Sequence, residues 1–262
     1  MVTENRELLK EIKKHISSDF EAKELYRFIE ENNLYEKTEE LCLKRKSGYP
    51  LQYLIGEWDF FGRTFKVGEG VLIPRADTET VIEVALSLPI EKKVITDLCS
   101  GSGCIAITMR EETGADVYAV EKSEYAIKYL KENIALNNSE INLIEGDVLS
   151  EETKNKVPLS DIIISNPPYL TEDDMNSLQK EVTFEPSMAL SGGDDGLYFY
   201  REITSFYKDK IRENGFIVYE IGMGQEEDVR EILLSNGFCD VKYQKDLGNI
   251  IRVVYARKKQ ED

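Results

Sequence analysis

The chain has 262 residues, 41% of them hydrophobic and 10% aromatic, ample for one large domain or for a core domain with a small appendage. Its formal net charge of −17 is unevenly spread: residues 1–50 carry 11 acidic and 10 basic side chains, and the other 39 acidic and 23 basic ones lie in 51–262. An acidic main body repels phosphate backbones, so no stable direct binding of nucleic acid is expected.

Residues 4–47 read as short amphipathic helices, with apolar positions at Leu8, Leu9, Ile12 and Ile16, then at Leu25, Phe28 and Ile29. Ser18 or Asp19 is placed to cap the second of them. The single histidine, His15, falls in this charged pattern and reads as a solvent-facing helix residue, which argues against a His-dependent triad or metal site. Lys44-Arg45-Lys46 reads as a solvated helix end. Gly48-Tyr49-Pro50 breaks the pattern, and Trp58 to Val67 suggests a β-hairpin turning near Gly62-Arg63. These signals divide the chain into a helical domain over 1–47, the candidate for holding a protein partner, a linker with the hairpin over 48–73, and a main domain over 74–262.

From residue 91 the signals alternate. Strands are predicted at 94–98, 116–120, 141–144, 161–165, 215–221, 239–245 and 250–256, with helices at 105–112, 124–136, 196–212 and 225–235. Helices between short apolar strands demand crossovers, hence a mainly parallel sheet covered on both faces. The last two strands are joined by about four residues around Asp246-Leu247-Gly248-Asn249, too few for a crossover, so that pair is antiparallel. The expected fold is α/β: a doubly wound, mainly parallel seven-stranded sheet with a small N-terminal helical domain. Four cysteines at 42, 99, 104 and 239 show no Cys-x-x-Cys spacing, and neither a signal peptide nor an apolar run of membrane-spanning length is visible. A reduced, cytoplasmic protein is the expectation, with no membrane partner.

Two motifs carry chemistry. The strand ending at Ser165 empties into Asn166-Pro167-Pro168-Tyr169. Both prolines lack an N–H and fix their own φ, so the carbonyls of this turn are held rigidly with no strand to accept them. Stiff acceptors beside an Asn side-chain oxygen suit the gripping of a planar –NH2 group by its two hydrogens. Asp97-Leu98-Cys99-Ser100-Gly101-Ser102-Gly103 ends the first strand and opens a helix, so its glycines let backbone approach a ligand. Gly101 to Ala106 also fits the dinucleotide pattern, but Asp97 ahead of the loop would oppose a pyrophosphate and welcome an ammonium. Glu121 ends the next strand, placed to accept ribose hydroxyls, and Asp147 follows the third, either meeting an adenine amino group or capping a helix. A ligand with a ribose, an ammonium and a positive sulfur is S-adenosylmethionine. Cys99 and Cys104 read as small packing residues.

With the loop, Glu121 and Asn166 to Tyr169 in this order, the chain resembles class I methyltransferases that modify amide or exocyclic amino nitrogens. More of it resembles one family, the release factor glutamine N5-methyltransferases: Gly48 to Gly56, Leu72 to Glu79, Glu185-Pro186, Ala189-Leu190, Gly192-Gly193, Asp195-Gly196-Leu197, Glu220-Ile221-Gly222 with Gln225, and Arg252. The resemblance implies methyl transfer to the glutamine of the Gly-Gly-Gln motif of peptide chain release factors, tuning translation termination. It places the cofactor loop on Cys99 to Gly103, the ribose acid on Glu121, an adenine contact on Val148 beside Asp147, and the substrate clamp on Asn166, Pro167, Pro168 and Tyr169, with Asn166 also at the cofactor. Many relatives have Gly where this chain has Cys99, which suggests an ordinary φ there.

In the expected mechanism the Asn166 side-chain oxygen and the Pro167 carbonyl each accept one N–H of the substrate amide, and Tyr169 packs over it. No metal and no strong base are called for. Gly192 to Gly196 either forms a lid or wall of the substrate channel or starts the helix before Leu197, and Arg75 either touches the substrate or, as expected, pairs with a local carboxylate such as Asp77 or Glu79. Three other readings stand beside this one: an adenine N6-methyltransferase, a non-catalytic cofactor-binding module and a nicotinamide enzyme.

Overall fold

The computed structural model describes residues 6–260; the expected helix start at residue 4 and the outermost ends of the domains drawn as 1–47 and 74–262 lie outside the described residues. Among the described residues four α-helices come first: α1 (Arg6–Ile12), α2 (Asp19–Glu31), α3 (Thr38–Lys46) and α4 (Leu51–Ile55). Ser18 caps α2, its hydroxyl accepting the Glu21 N–H at 3.3 Å. His15 is half-buried just past α1. The apolar stripes of the four helices meet in one cluster that includes Ile12, Leu25, Ile29, Cys42 and Leu51. Arg45 departs from the expected solvated helix end. It is buried, and its Nη2 reaches Glu21 Oε1 at 2.7 Å and Glu181 Oε1 at 2.6 Å. A guanidinium can leave water where two carboxylates meet its fork, and one of these lies 136 residues away, beyond any local signal.

Next come β1 (Glu57–Phe60) and β2 (Arg63–Lys66), an antiparallel hairpin whose turn residues Phe61 and Gly62 both have positive φ, as a two-residue turn requires. Phe60 and Phe65 enter the core of the main domain. That domain comprises α5 (Glu79–Ser87), β3 (Val94–Leu98), α6 (Cys104–Thr113), β4 (Asp116–Glu121), α7 (Glu124–Leu136), β5 (Ile141–Glu145), α8 (Glu151–Lys156), β6 (Ser160–Ser165), α9 (Glu172–Asn176), α10 (Tyr198–Tyr207), β7 (Ile211–Glu220), α11 (Glu226–Ser235), β8 (Phe238–Lys245) and β9 (Ile251–Lys258). The sheet order is β5-β4-β3-β6-β7-β9-β8, parallel through β7, with β9 antiparallel to both neighbours.

The doubly wound seven-stranded sheet and the antiparallel final pair are therefore as expected. Strand alternation divides the core: Ile162 and Ile164 of β6 join the cluster on one face, while Ile163 between them joins the cluster on the other. The helix expected over 196–212 is shorter, because Ile211 already pairs with Ser160 as the start of β7. Helix α5 was not among the expected elements: Thr80, Val81, Ile82, Val84 and Ala85 are all buried, and only a narrow stripe of Glu79, Glu83 and Ser87 faces outwards. Asn133 of α7, fully buried, accepts the Lys66 N–H at 2.5 Å and donates to the carbonyls of Lys66 and Ser102, tying hairpin to sheet. Strand order reverses beside β3, between β4 and β6, which opens a crevice at their carboxyl ends.

Candidate active site

A cavity of about 380 Å³ fills that crevice. Its floor is the turn from β3 into α6. The Ser100 N–H bonds the Val120 carbonyl at 3.0 Å, and the Gly103 N–H bonds the Ser100 carbonyl at 2.8 Å. Cys99, Gly101 and Gly103 have φ of 65°, 54° and 83°. The ordinary φ expected at Cys99 is therefore corrected: the turn needs left-handed backbone at each alternate residue, and Cys99 accepts it with a side chain small enough to pack on the apolar cluster behind. A Cβ on Gly101 would meet nothing within 4 Å, since that residue faces the open cavity.

Glu121 holds this turn from the end of β4. Its Oε2 accepts the Gly101 N–H at 2.7 Å, and its Oε1 accepts the N–H groups of Lys122 and Ser123 at 2.8 and 2.7 Å. Three of roughly four lone-pair positions are used, so the carboxylate is fixed in orientation before any ligand arrives. Asp147 stands across the cavity, its Oδ1 accepting the Leu149 N–H at 2.9 Å and its Oδ2 pairing with Lys122 at 2.7 Å. Burial works against its charge, but the ammonium and the N–H outweigh it and hold its carboxyl below the ordinary value. Val148, buried, adds an apolar wall.

Asp97 lies elsewhere than expected. It is fully buried, does not line the cavity, and neither carboxyl oxygen has a hydrogen-bond partner among the described residues. Burial above all pushes its carboxyl up to about 8, although the Ser100 hydroxyl and the Ala106 N–H, near it but outside good hydrogen-bond geometry, draw it down.

The strand β6 delivers Asn166 to the cavity edge. Its Nδ2 donates to the Thr78 hydroxyl at 3.4 Å, while among the described residues neither its Oδ1 nor the Pro167 carbonyl receives a hydrogen bond. Tyr169 does not lie at the cavity wall. Its ring packs against the apolar cluster, its hydroxyl donates to Glu220 Oε1 at 3.4 Å, and its carbonyl accepts from Gln225 Nε2 at 3.0 Å. Gln225 also accepts the Gly222 N–H at 2.8 Å, so one amide staples the turn to the end of β7. Gly192 and Gly196 press on the same turn: a Cβ on Gly192 would come within 2.7 Å of the Tyr169 Cα. The segment leads directly into α10 at Tyr198, as one of its two readings expected, and none of Gly192 to Gly196 lines the cavity.

Arg75 pairs neither with Asp77 nor with Glu79. Its partner is Glu185, buried, whose other oxygen accepts the Ile73 N–H at 3.1 Å. This correction has the same cause as Arg45, a partner 110 residues away. The pair joins two segments of the cavity wall, Ile73-Pro74 and Pro186 to Ala189. The structure thus brings Cys99, Ser100, Gly101, Ser102, Glu121, Asp147, Val148, Asn166 and Pro168 to the cavity wall, while Asp97, Gly103, Pro167 and Tyr169 do not line it. Thr78 and Lys122 were not foreseen. Thr78 sits in a segment that only the resemblance singled out, and Lys122 follows Glu121 with nothing local to mark it.

Sheet order, loop and turn together define a class I methyltransferase. A solved methyltransferase from Pyrococcus furiosus shares the fold, with a TM-score of 0.59 over 77% of this chain and 91% of that one at 18% identity. The model of the family described as "Methyltransferase small domain" matches residues 77–192. The release factor glutamine methyltransferase of Fusobacterium nucleatum is 40% identical, covering 88% of this chain and 66% of that protein; the one from Thermodesulfovibrio yellowstonii is 39% identical, covering 83% and 80%. The chain belongs to the release factor glutamine methyltransferase family. No helix among the described residues is long and apolar enough to cross a membrane.

Proposed function

We propose that this enzyme transfers a methyl group from S-adenosylmethionine to the side-chain amide nitrogen, N5, of the glutamine in the Gly-Gly-Gln motif of peptide chain release factors. The observation that carries the reading is the pair of unused acceptors, Asn166 Oδ1 and the Pro167 carbonyl, on a turn stiffened by two prolines and stapled by Gln225. The cavity suits the cofactor in size, within the roughly 300–1,000 Å³ of small-molecule sites, and in chemistry: the Gly101 face is open, Glu121 presents a fixed carboxylate, and Val148 is apolar. Bound there, S-adenosylmethionine supplies the electrophilic methyl carbon.

The chain's own residues do the rest. An amide nitrogen is a feeble nucleophile because its lone pair is delocalised into the carbonyl. Asn166 Oδ1 and the Pro167 carbonyl each accept one N–H, which orients the nitrogen and favours the positive charge that grows on it. Alignment of this kind in a dry pocket is worth on the order of 7–11 kcal/mol. Methylation makes the nitrogen acidic, so its proton leaves to water without a strong base. Tyr169 and Gln225 hold the turn from behind, and Glu121 orients the cofactor ribose while keeping Gly101 in place.

Methyl-labelled S-adenosylmethionine, offered in parallel with a release factor, a duplex oligonucleotide and RNA, tests the reading. Label is expected in the release factor at the glutamine, and Asn166→Ala should abolish it while cofactor binding persists. Label in nucleic acid alone would overturn the substrate assignment.

A further inference from the structure

Behind the turn lies a carboxyl that the reaction as described does not use. Glu220, the last residue of β7, is 2% exposed. Among the described residues its Oε1 accepts the Tyr169 hydroxyl at 3.4 Å and its Oε2 has no hydrogen-bond partner of good geometry, although the Thr78 hydroxyl lies close enough to lower the carboxyl. Structural carboxyls buried to this degree usually have both oxygens satisfied. The groups around it are the Thr78 hydroxyl, Tyr169, Tyr200 of α10, Cys104 of α6, Asp77 and Arg252 of β9. Arg252 is divided between Asp246 at 3.1 Å and Asp77 at 3.3 Å, which leaves Glu220 without a dedicated cation. Burial is the largest influence and pushes this carboxyl up to about 7, with Thr78 and Arg252 pulling down and Asp77 pushing up.

We propose that Thr78 and Glu220 are positioning residues of the methyl-acceptor clamp, setting through the Thr78 hydroxyl which end of the Asn166 amide faces the substrate. The inference rests on the amide-clamp reading above. An ionised carboxylate only accepts, so beside it the single hydroxyl hydrogen of Thr78 turns towards Glu220 and a lone pair of the same oxygen turns towards Asn166. Only the Asn166 –NH2 can bond that lone pair, which is the arrangement observed at 3.4 Å, and Oδ1 is left for the substrate. A protonated Glu220 donates to the Thr78 oxygen instead. The hydroxyl hydrogen is then free to bond Asn166 Oδ1, the amide flips, and an –NH2 meets the –NH2 of the substrate. The ionised form is the active form.

The test is kcat and KM against pH, between about pH 5.5 and 9, for wild type, Glu220→Gln, Thr78→Ser and Thr78→Ala, with cofactor binding measured separately. Wild-type kcat should climb about tenfold per pH unit on the acid side and level off above neutrality. Glu220→Gln, of nearly the same shape, should lose that inflection and run at a lower, pH-flat rate. Thr78→Ala should lower kcat by about ten- to a hundredfold with the cofactor KM unchanged, and Thr78→Ser should restore it. An inflection unchanged in Glu220→Gln, or wild-type kcat in Thr78→Ala, would overturn the proposal. The two readings fail separately: a wild type that leaves the release factor unlabelled sinks the substrate assignment. A dead Asn166→Ala beside unaffected Thr78 and Glu220 variants sinks only this inference.

Discussion

Gly101 meets the most demanding set of conditions in the chain: φ is positive, the N–H is bonded to Glu121 and the α-carbon faces the cavity. A side chain there would find room, because nothing stands within 4 Å, but the room is the ligand's. Gly101→Val should therefore cost the fold only about 1–2 kcal/mol of left-handed strain and weaken cofactor binding far more, by over about tenfold; melting curves beside titration calorimetry separate the two. Cys99 shares the left-handed backbone without needing it for space. Cys99→Gly trades roughly 1–2 kcal/mol of strain against chain entropy and lost packing, so its unfolding free energy should stay within about 1 kcal/mol of wild type. The loop and the Asn166 to Tyr169 turn could be read from the sequence because their chemistry sits in consecutive residues. The φ of Cys99 could not, since closure of the turn onto Val120 and Glu121 sets it.

Between elements, the contacts that decide geometry join residues far apart in the chain. Every strand of the main sheet was legible, as were α6, α7 and the antiparallel last pair, because each has a periodic apolar pattern or a connection too short for a crossover. The short α4, α8 and α9 carry too few turns to show a period, and α5 leaves only the narrow stripe of Glu79, Glu83 and Ser87 to mark one. Arg45 and Arg75 were legible as charges but not as ties. Arg45 joins α2 and α3 to the segment at Glu181, so Arg45→Ala leaves two carboxylates facing each other with no cation between them. The expected loss is about 1–3 kcal/mol, read as a lower urea midpoint. Arg45→Lys should not recover it, because a single ammonium cannot match the two-sided fork.

For the molecule as a whole, an excess of 17 negative charges and a few buried acids set the response to solvent. Self-repulsion among exposed carboxylates is screened by salt, so the melting temperature should rise from low to moderate ionic strength in a thermal scan. The buried acids add a pH dependence of definite sign. Asp97 is raised from 3.8 to about 8 in the folded protein. Its unfolded form ionises near the ordinary value and its folded form does not, so its contribution is largest below about pH 4. That contribution shrinks steadily as pH climbs towards 8, because deprotonation favours the unfolded chain. Glu220, raised to about 7, acts in the same direction over a narrower window. Asp97→Asn removes the ionisation but buries an amide that needs partners of its own, so its stability at any one pH mixes two effects. The difference between variant and wild type isolates the titration. That difference should move in the variant's favour between pH 5 and pH 8, measured as urea midpoints at several pH values. A difference that stays constant over this range would mean that Asp97 ionises alike in both states and that its burial leaves its charge untouched.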